Sequence, residues 1–123
     1  MQKVFLLLVV AMFLSSSFAQ EVVNVYSARH YDSDAALFSL FTEETGIQVN
    51  LIEARAEELI ERVRSAGTNS PADVLITVDA GNLWRADEAG ILDAVDSEIL
   101  TNAIPENLRH PERLQTMGPV GTD

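Results

Sequence analysis

Residues 22–32 read Val22-Val23-Asn24-Val25-Tyr26-Ser27-Ala28-Arg29-His30-Tyr31-Asp32. The first five form a β-branched and aromatic run, the composition of a strand. Ser27 to Tyr31 breaks that pattern. A helix is expected to open near Asp32 or Ser33, either of which can accept from the orphan N–H groups of a first helical turn. Leu37, Leu40 and Phe41 follow at helical spacing, and Gly46 after Thr45 supplies a stop.

The same alternation continues outward from this segment. Ile47 to Ile52 predicts a second strand. Ala56 to Ala66 predicts a second helix, with Leu59, Ile60 and Val63 inward and Glu57, Glu58, Glu61, Arg62 and Arg64 outward, ended by Gly67. Asn69-Ser70-Pro71 is a turn. Asp73 to Val78 is a nearly continuous apolar run, the signature of a strand buried on both faces. A third helix is expected over Asp79 to Ala89, closed by Gly90, then an extended piece over Ile91 to Val95 and a short helix over Ser97 to Ala103. The order β-α-β-α-β-α gives an α/β lobe whose mainly parallel sheet is flanked by helices, with right-handed crossovers. Ligands of such sheets bind at the carboxyl ends of the strands. The loops to watch are therefore 27–31, 53–55 and 79–82.

Upstream, Lys3 precedes an unbroken apolar run from Val4 to Leu14, and Ser17 and Ala19 fit the −3 and −1 positions of a cleavage site. Residues 1–19 are expected to be a signal peptide, because eleven apolar residues are too few for a hydrocarbon core of about 30 Å, which needs roughly 20. Export to the periplasm, without membrane insertion after cleavage, follows as the expected localisation. Residues 20–114 then make one lobe. Residues 115–123 read as an irregular tail, since Met117-Gly118-Pro119-Val120-Gly121 suits neither a helix nor a central strand. The chain is expected to stop where such a lobe needs another strand.

Composition narrows the chemistry. The chain has no cysteine, which excludes disulfides, thiolate metal sites and a lipid-modified N-terminal cysteine. Lys3 is the only lysine, and seven arginines face nineteen acids over the rest. Such a chain repels nucleic acid and anionic membrane surfaces. No Gly-rich phosphate loop is present, and neither Ser-x-x-Lys nor Gly-x-Ser-x-Gly occurs, so no turnover is expected.

The chemistry-bearing types gather in Arg29-His30-Tyr31. His30 offers an imidazole nitrogen, and Tyr31 an oxygen that becomes a hard anionic donor as phenolate. Arg29 offers a planar fork suited to carbonate, phosphate or carboxylate. A hard trivalent cation such as iron(III) is matched by anionic oxygen, and imidazole suits iron too. The metal must displace a phenolic proton whose ordinary pKa is about 10. A helix N-terminus favours an anion over a bare cation, which points to a metal held together with a synergistic anion beside Arg29. The same residues also read as a helix-capping loop with an exposed histidine and a packed tyrosine ring. Elsewhere Glu57, Glu58 and Glu61 suggest either paired carboxylates or a solvated face, and Asp79 a ligand contact or a cap. Trp84 reads as a core or surface aromatic. Arg85 points to the cleft or pairs with Asp87 or Glu88.

Four blocks carry a resemblance: YSARHYDSD (26–34), FTEETGIQV (41–49), SPADVLITVDAGNLWRADEAGIL (70–92) and PENLRHPERL (105–114). In this order they resemble the periplasmic ferric-iron-binding proteins, the substrate-binding subunits of iron(III) ABC importers. The resemblance implies a periplasmic-binding-protein-like lobe, truncated before a second lobe, and a monomer that delivers iron to an inner-membrane ABC permease. It places His30 and Tyr31 at metal-ligand positions, Arg29 and Arg85 at anion-binding positions, and Fe(3+) with an anion such as carbonate between two lobes. The further ligands it implies are tyrosines of the second lobe and hinge, whereas no tyrosine follows Tyr31 here. Other readings stay open beside it: a binding protein for a polyamine, thiamine or an oxyanion, an exported α/β enzyme or sensor lobe, or an inactive remnant.

Overall fold

The computed structural model describes residues 20–109 and the backbone of 114–117. Strand β1 (Val22–Ser27) leads to helix α1 (Asp32–Thr45), β2 (Gln48–Glu53) and α2 (Ala56–Ala66). A 3-10 turn (Gly67–Asn69) precedes β3 (Val74–Ile76), α3 (Ala80–Glu88), β4 (Leu92–Val95) and α4 (Glu98–Ala103). A second 3-10 turn (Glu106–Leu108) and β5 (Leu114–Met117) complete the series. The expected signal peptide lies outside the described residues, as do 110–113 and 118–123.

β1 is the central strand of a parallel sheet in the order β2-β1-β3. Its register pairs Tyr26 with Ile52 and Ser27 with Glu53, while Tyr26 and Ser27 also pair with Leu75 and Ile76 of β3. Because side chains alternate along a strand, Tyr26, Ile52 and Leu75 share one face. That face carries the core, in which Tyr26 packs with Leu59, Ile60 and Val63 of α2, Ala86 of α3 and Ile91. The helix α2 was legible because its buried positions, 59, 60 and 63, recur at i, i+1 and i+4, one stripe of a 3.6-residue period. Burying each large side chain of this set contributes about 1.5–3 kcal/mol.

The other face is covered by α1, whose orientation departs from the apolar spacing. Leu37, Leu40 and Phe41 are exposed, and Asp34 is the buried residue of the helix. Asp34, Phe38 and Thr42, spaced i, i+4 and i+8, form the less exposed stripe. The apolar residues of α1 span more than one face, and the inward side is the one that carries Asp34, which is paired with Arg29. The helix opens at Asp32 as expected, but Tyr31 occupies the N-cap position and no side chain caps the first turn. At the far end Gly46 adopts φ 75°, and its N–H reaches the Thr42 carbonyl at 2.8 Å, a left-handed cap that suits glycine.

Two strand expectations need correction. β3 spans three residues rather than Asp73 to Val78, and it is an edge strand of this sheet with Val74 exposed. Its apolar run therefore does not mean burial on both faces; the strand with neighbours on either side is β1, where Val25, Tyr26 and Ser27 are all buried. The tail expected to be irregular from Gln115 contributes 115–117 to β5, which pairs antiparallel with β4, Leu92 opposite Met117. Strand pairing satisfies those backbone groups without the local side-chain pattern that sequence reading relies on. No helix among the described residues is long and apolar enough to cross a membrane.

Candidate metal centre

The site begins at the carboxyl end of β1. Ser27 is 1 % exposed, and its hydroxyl ties down the loop that follows. The Arg29 N–H donates to Ser27 Oγ (3.1 Å), and the same hydroxyl donates to the Arg29 carbonyl oxygen (3.0 Å). The Ala28 N–H donates to the Ile76 carbonyl (2.9 Å), which pins the loop to β3. On the other side the Ala54 N–H reaches the Ser27 carbonyl (3.3 Å), extending the β1–β2 ladder one step beyond Glu53. The chain then turns into α1, where the Asp34 N–H donates to the Tyr31 carbonyl (2.9 Å).

This anchoring sets out Arg29, His30 and Tyr31 around a recess of about 250 Å³ lined also by Asp34, Phe38, Leu51 and Glu53. Tyr31 is 58 % exposed, so its ring is not wedged into the interior and its phenol is open to solvent. The Arg29 guanidinium carbon lies 5.2 Å from the Tyr31 ring centre, within the reach of a cation–π contact. The Arg29 fork itself is filled from within the chain. Nε donates to Asp34 Oδ2 at 3.0 Å and Nη2 to Asp34 Oδ1 at 2.5 Å. That hydrogen-bonded carboxylate raises Arg29 above its ordinary pKa, so the charge is permanent. The bidentate face expected to meet an anion is thus occupied. An anion at this guanidinium would approach its Nη1 side.

His30 Nδ1 lies 3.3 Å from Glu53 Oε1. Neither Glu53 nor Asp34 was singled out as a site residue by sequence. Glu53 sits at the start of the second loop marked for attention, and only the Ser27–Glu53 register brings it to the histidine. Arg85 does not line the recess. Its Nη1 donates to Glu57 Oε1 (3.2 Å), joining α3 to α2. The anion-binding position expected of it has no contact with the recess that holds Arg29.

The remaining candidates resolve simply. Asp79 caps α3, accepting from the Asn82 N–H at 2.7 Å, a bond that holds its carboxyl below the ordinary pKa. Glu58 and Glu61 pair with Arg55 and Arg64 on the solvated face of α2. Trp84 is exposed. Among the described residues no cluster of three or more histidine or carboxylate side chains is assembled that could hold a metal ion. What the loop presents is a pair of adjacent donors, one imidazole and one phenol, beside a fixed positive charge.

A parallel three-stranded sheet flanked by helices, with donors at its carboxyl edge, defines the chain as a lobe of the periplasmic binding-protein type. No family model matches the chain. It is 58 % identical over 93 residues to the iron uptake protein A1 of Synechocystis, covering 76 % of this chain and 26 % of that protein. Its structure is similar to that of a Trichodesmium protein described as IdiA or FutA in complex with iron and citrate ligands, with TM-score 0.73 and 60 % identity over 76 % of this chain and 29 % of that one. The ferric binding protein from Campylobacter jejuni gives TM-score 0.73 at 46 % identity, over 74 % of this chain and 29 % of that one. The chain is thus a homologue of the ferric-iron-binding periplasmic proteins. It spans about a quarter of the length of the curated relatives that it matches.

Proposed function

We propose that this chain is the first iron-binding lobe of a periplasmic substrate-binding protein serving an iron(III) ABC importer, and that it performs no catalysis. The observation that carries the reading is the exposed His30–Tyr31 pair at the carboxyl end of β1, held by the buried Ser27 hydroxyl. In a chain so similar to proteins named for ferric iron, these two side chains are the metal ligands. Tyr31 supplies the anionic oxygen that a hard trivalent ion prefers, and His30 supplies nitrogen. Loading releases the phenolic proton, so affinity rises with pH.

Two donors leave such an ion open on its other sides. A synergistic anion such as carbonate takes part of that space, beside the Nη1 edge of Arg29. Citrate, present with iron in the Trichodesmium relative, is a second anion of the right chemistry. Arg85, tied to Glu57, contributes only through a change of partner. Tyrosines of a second lobe complete the coordination as the lobes close, a hinge motion of the kind binding proteins use. The loaded protein works as a monomer and presents iron to an inner-membrane permease. Residues 1–19 act as the signal peptide that brings it to the periplasm.

The test is a graft. Residues 20–109 replace the matching segment of the Synechocystis iron uptake protein A1, and ferric citrate is added. A tyrosinate-to-iron charge-transfer band should develop in the visible, and Tyr31→Phe should weaken or shift it. An identical spectrum for the Phe variant removes Tyr31 as a ligand.

A further inference from the structure

We propose that Glu53 is the positioning residue of this site: its carboxylate holds the Nδ1 side of His30, leaving Nε2 as the nitrogen offered to the ligand. The inference rests on the reading of His30 as a metal ligand and adds the group that prepares it.

Neutral imidazole carries one N–H, and which nitrogen carries it decides which one can bind a metal. Metal-binding histidines are commonly fixed by an acceptor at the other nitrogen, most often a carboxylate or a backbone carbonyl. Of the acids lining the recess, Asp34 is committed to Arg29 by two hydrogen bonds. Asp32 lies in the first turn of α1. Glu53 is the acid at the histidine, with Oε1 3.3 Å from Nδ1. That distance lies just beyond an ordinary N–H···O bond, so the contact in the structure is a close approach of the two groups.

The backbone makes the pairing repeatable. Glu53 is the last residue of β2 and sits opposite Ser27 in the parallel register. His30 follows three residues after Ser27, in a loop that the Ser27 hydroxyl fixes at Arg29. One end of the pair therefore stands on the sheet, and the other on a loop tied to the adjacent strand. A site supported by a strand end holds its geometry better than one carried by two loops.

Nitrogen-15 NMR of the histidine side chains in the full chain tests the proposal, at about pH 8, above the ordinary histidine pKa of about 6.5. The resonances of His30 are assigned by their loss in His30→Gln. Wild type should show the Nδ1–H tautomer. Glu53→Ala should shift the population towards Nε2–H, the form that free imidazole prefers. Glu53→Gln, which keeps an acceptor oxygen, should restore much of the wild-type signature. A wild-type ring already in the Nε2–H form, or one unmoved by Glu53→Ala, overturns the proposal.

A second readout separates this from the functional reading. In the grafted protein Glu53→Ala should cost about 10–100-fold in ferric affinity, the usual consequence of losing such a partner, while the tyrosinate band keeps its position. A loss of affinity with no change of tautomer means that Glu53 binds the metal itself, and the positioning role is refuted. A correct tautomer response in a graft that takes up no iron refutes the iron reading and leaves the positioning role standing.

Discussion

Replacing Ser27 by alanine probes the joint on which the proposed site depends. The substitution removes one oxygen from a residue that is 1 % exposed, and with it both ties to Arg29, at 3.0 and 3.1 Å. Each such bond contributes a net of about 0.5–1.5 kcal/mol, so the pair is worth about 2 kcal/mol. Arg29 is only partly buried, and water that reaches its backbone recovers some of this, leaving an expected loss of about 1–2 kcal/mol. For a domain of this size each kcal/mol lowers the melting midpoint by about 4–8 °C. Urea denaturation gives the stability change, and amide hydrogen exchange gives its location. Faster exchange should be confined to Arg29 and its neighbours in the loop, while the Leu59 amide changes only as global stability does. Under the graft experiment the same substitution should weaken iron binding without altering either ligand. A loss below about 0.3 kcal/mol, with Arg29 exchange unchanged, would refute the claim that this hydroxyl organises the loop.

Other perturbations test separate parts of the fold. Leu59→Ala removes three methylene-sized groups from a side chain 1 % exposed, and transfer alone at about 0.8 kcal/mol each gives about 2.4 kcal/mol. Incomplete collapse around the cavity should bring the loss measured by urea denaturation to about 2.7–5 kcal/mol. Gly46→Ala meets no atom within 4 Å but must hold φ 75°, so its cost is backbone strain, about 1 kcal/mol by the same assay. Asp79 and Glu61 both have carboxyls held below their ordinary pKa, Asp79 chiefly by the Asn82 N–H and Glu61 chiefly by Arg64. A depressed folded pKa means that the unfolded chain binds more protons. Stability from these groups is therefore full above the unfolded value of about 4 and is lost as pH falls through the folded one. Denaturation between pH 5 and 2 should show that decline, and Asp79→Ala should make it shallower; an equal slope in the variant would remove the cap as a contributor.

The order of elements was readable from residues alone because each carries its own local signal. Ala56 to Ala66 shows both the stripe of α2 and its glycine stop, and Asp79 announces the cap of α3. The sequence alone also set His30 and Tyr31 side by side after the first strand, which is where the structure has them. Tertiary structure decided what those residues face. Arg29 turns its fork to Asp34, five residues on, and α1 buries Asp34 while leaving Leu37 and Leu40 exposed. Glu53 meets His30 only through the parallel register of β1 and β2, and Arg85 meets Glu57 only because α2 and α3 pack side by side. Local pattern reports the period of a helix or strand, which is a property of neighbours in the chain. Partnership between charges depends on register and rotation, which are fixed when separate elements pack, and no single stretch of sequence holds that information.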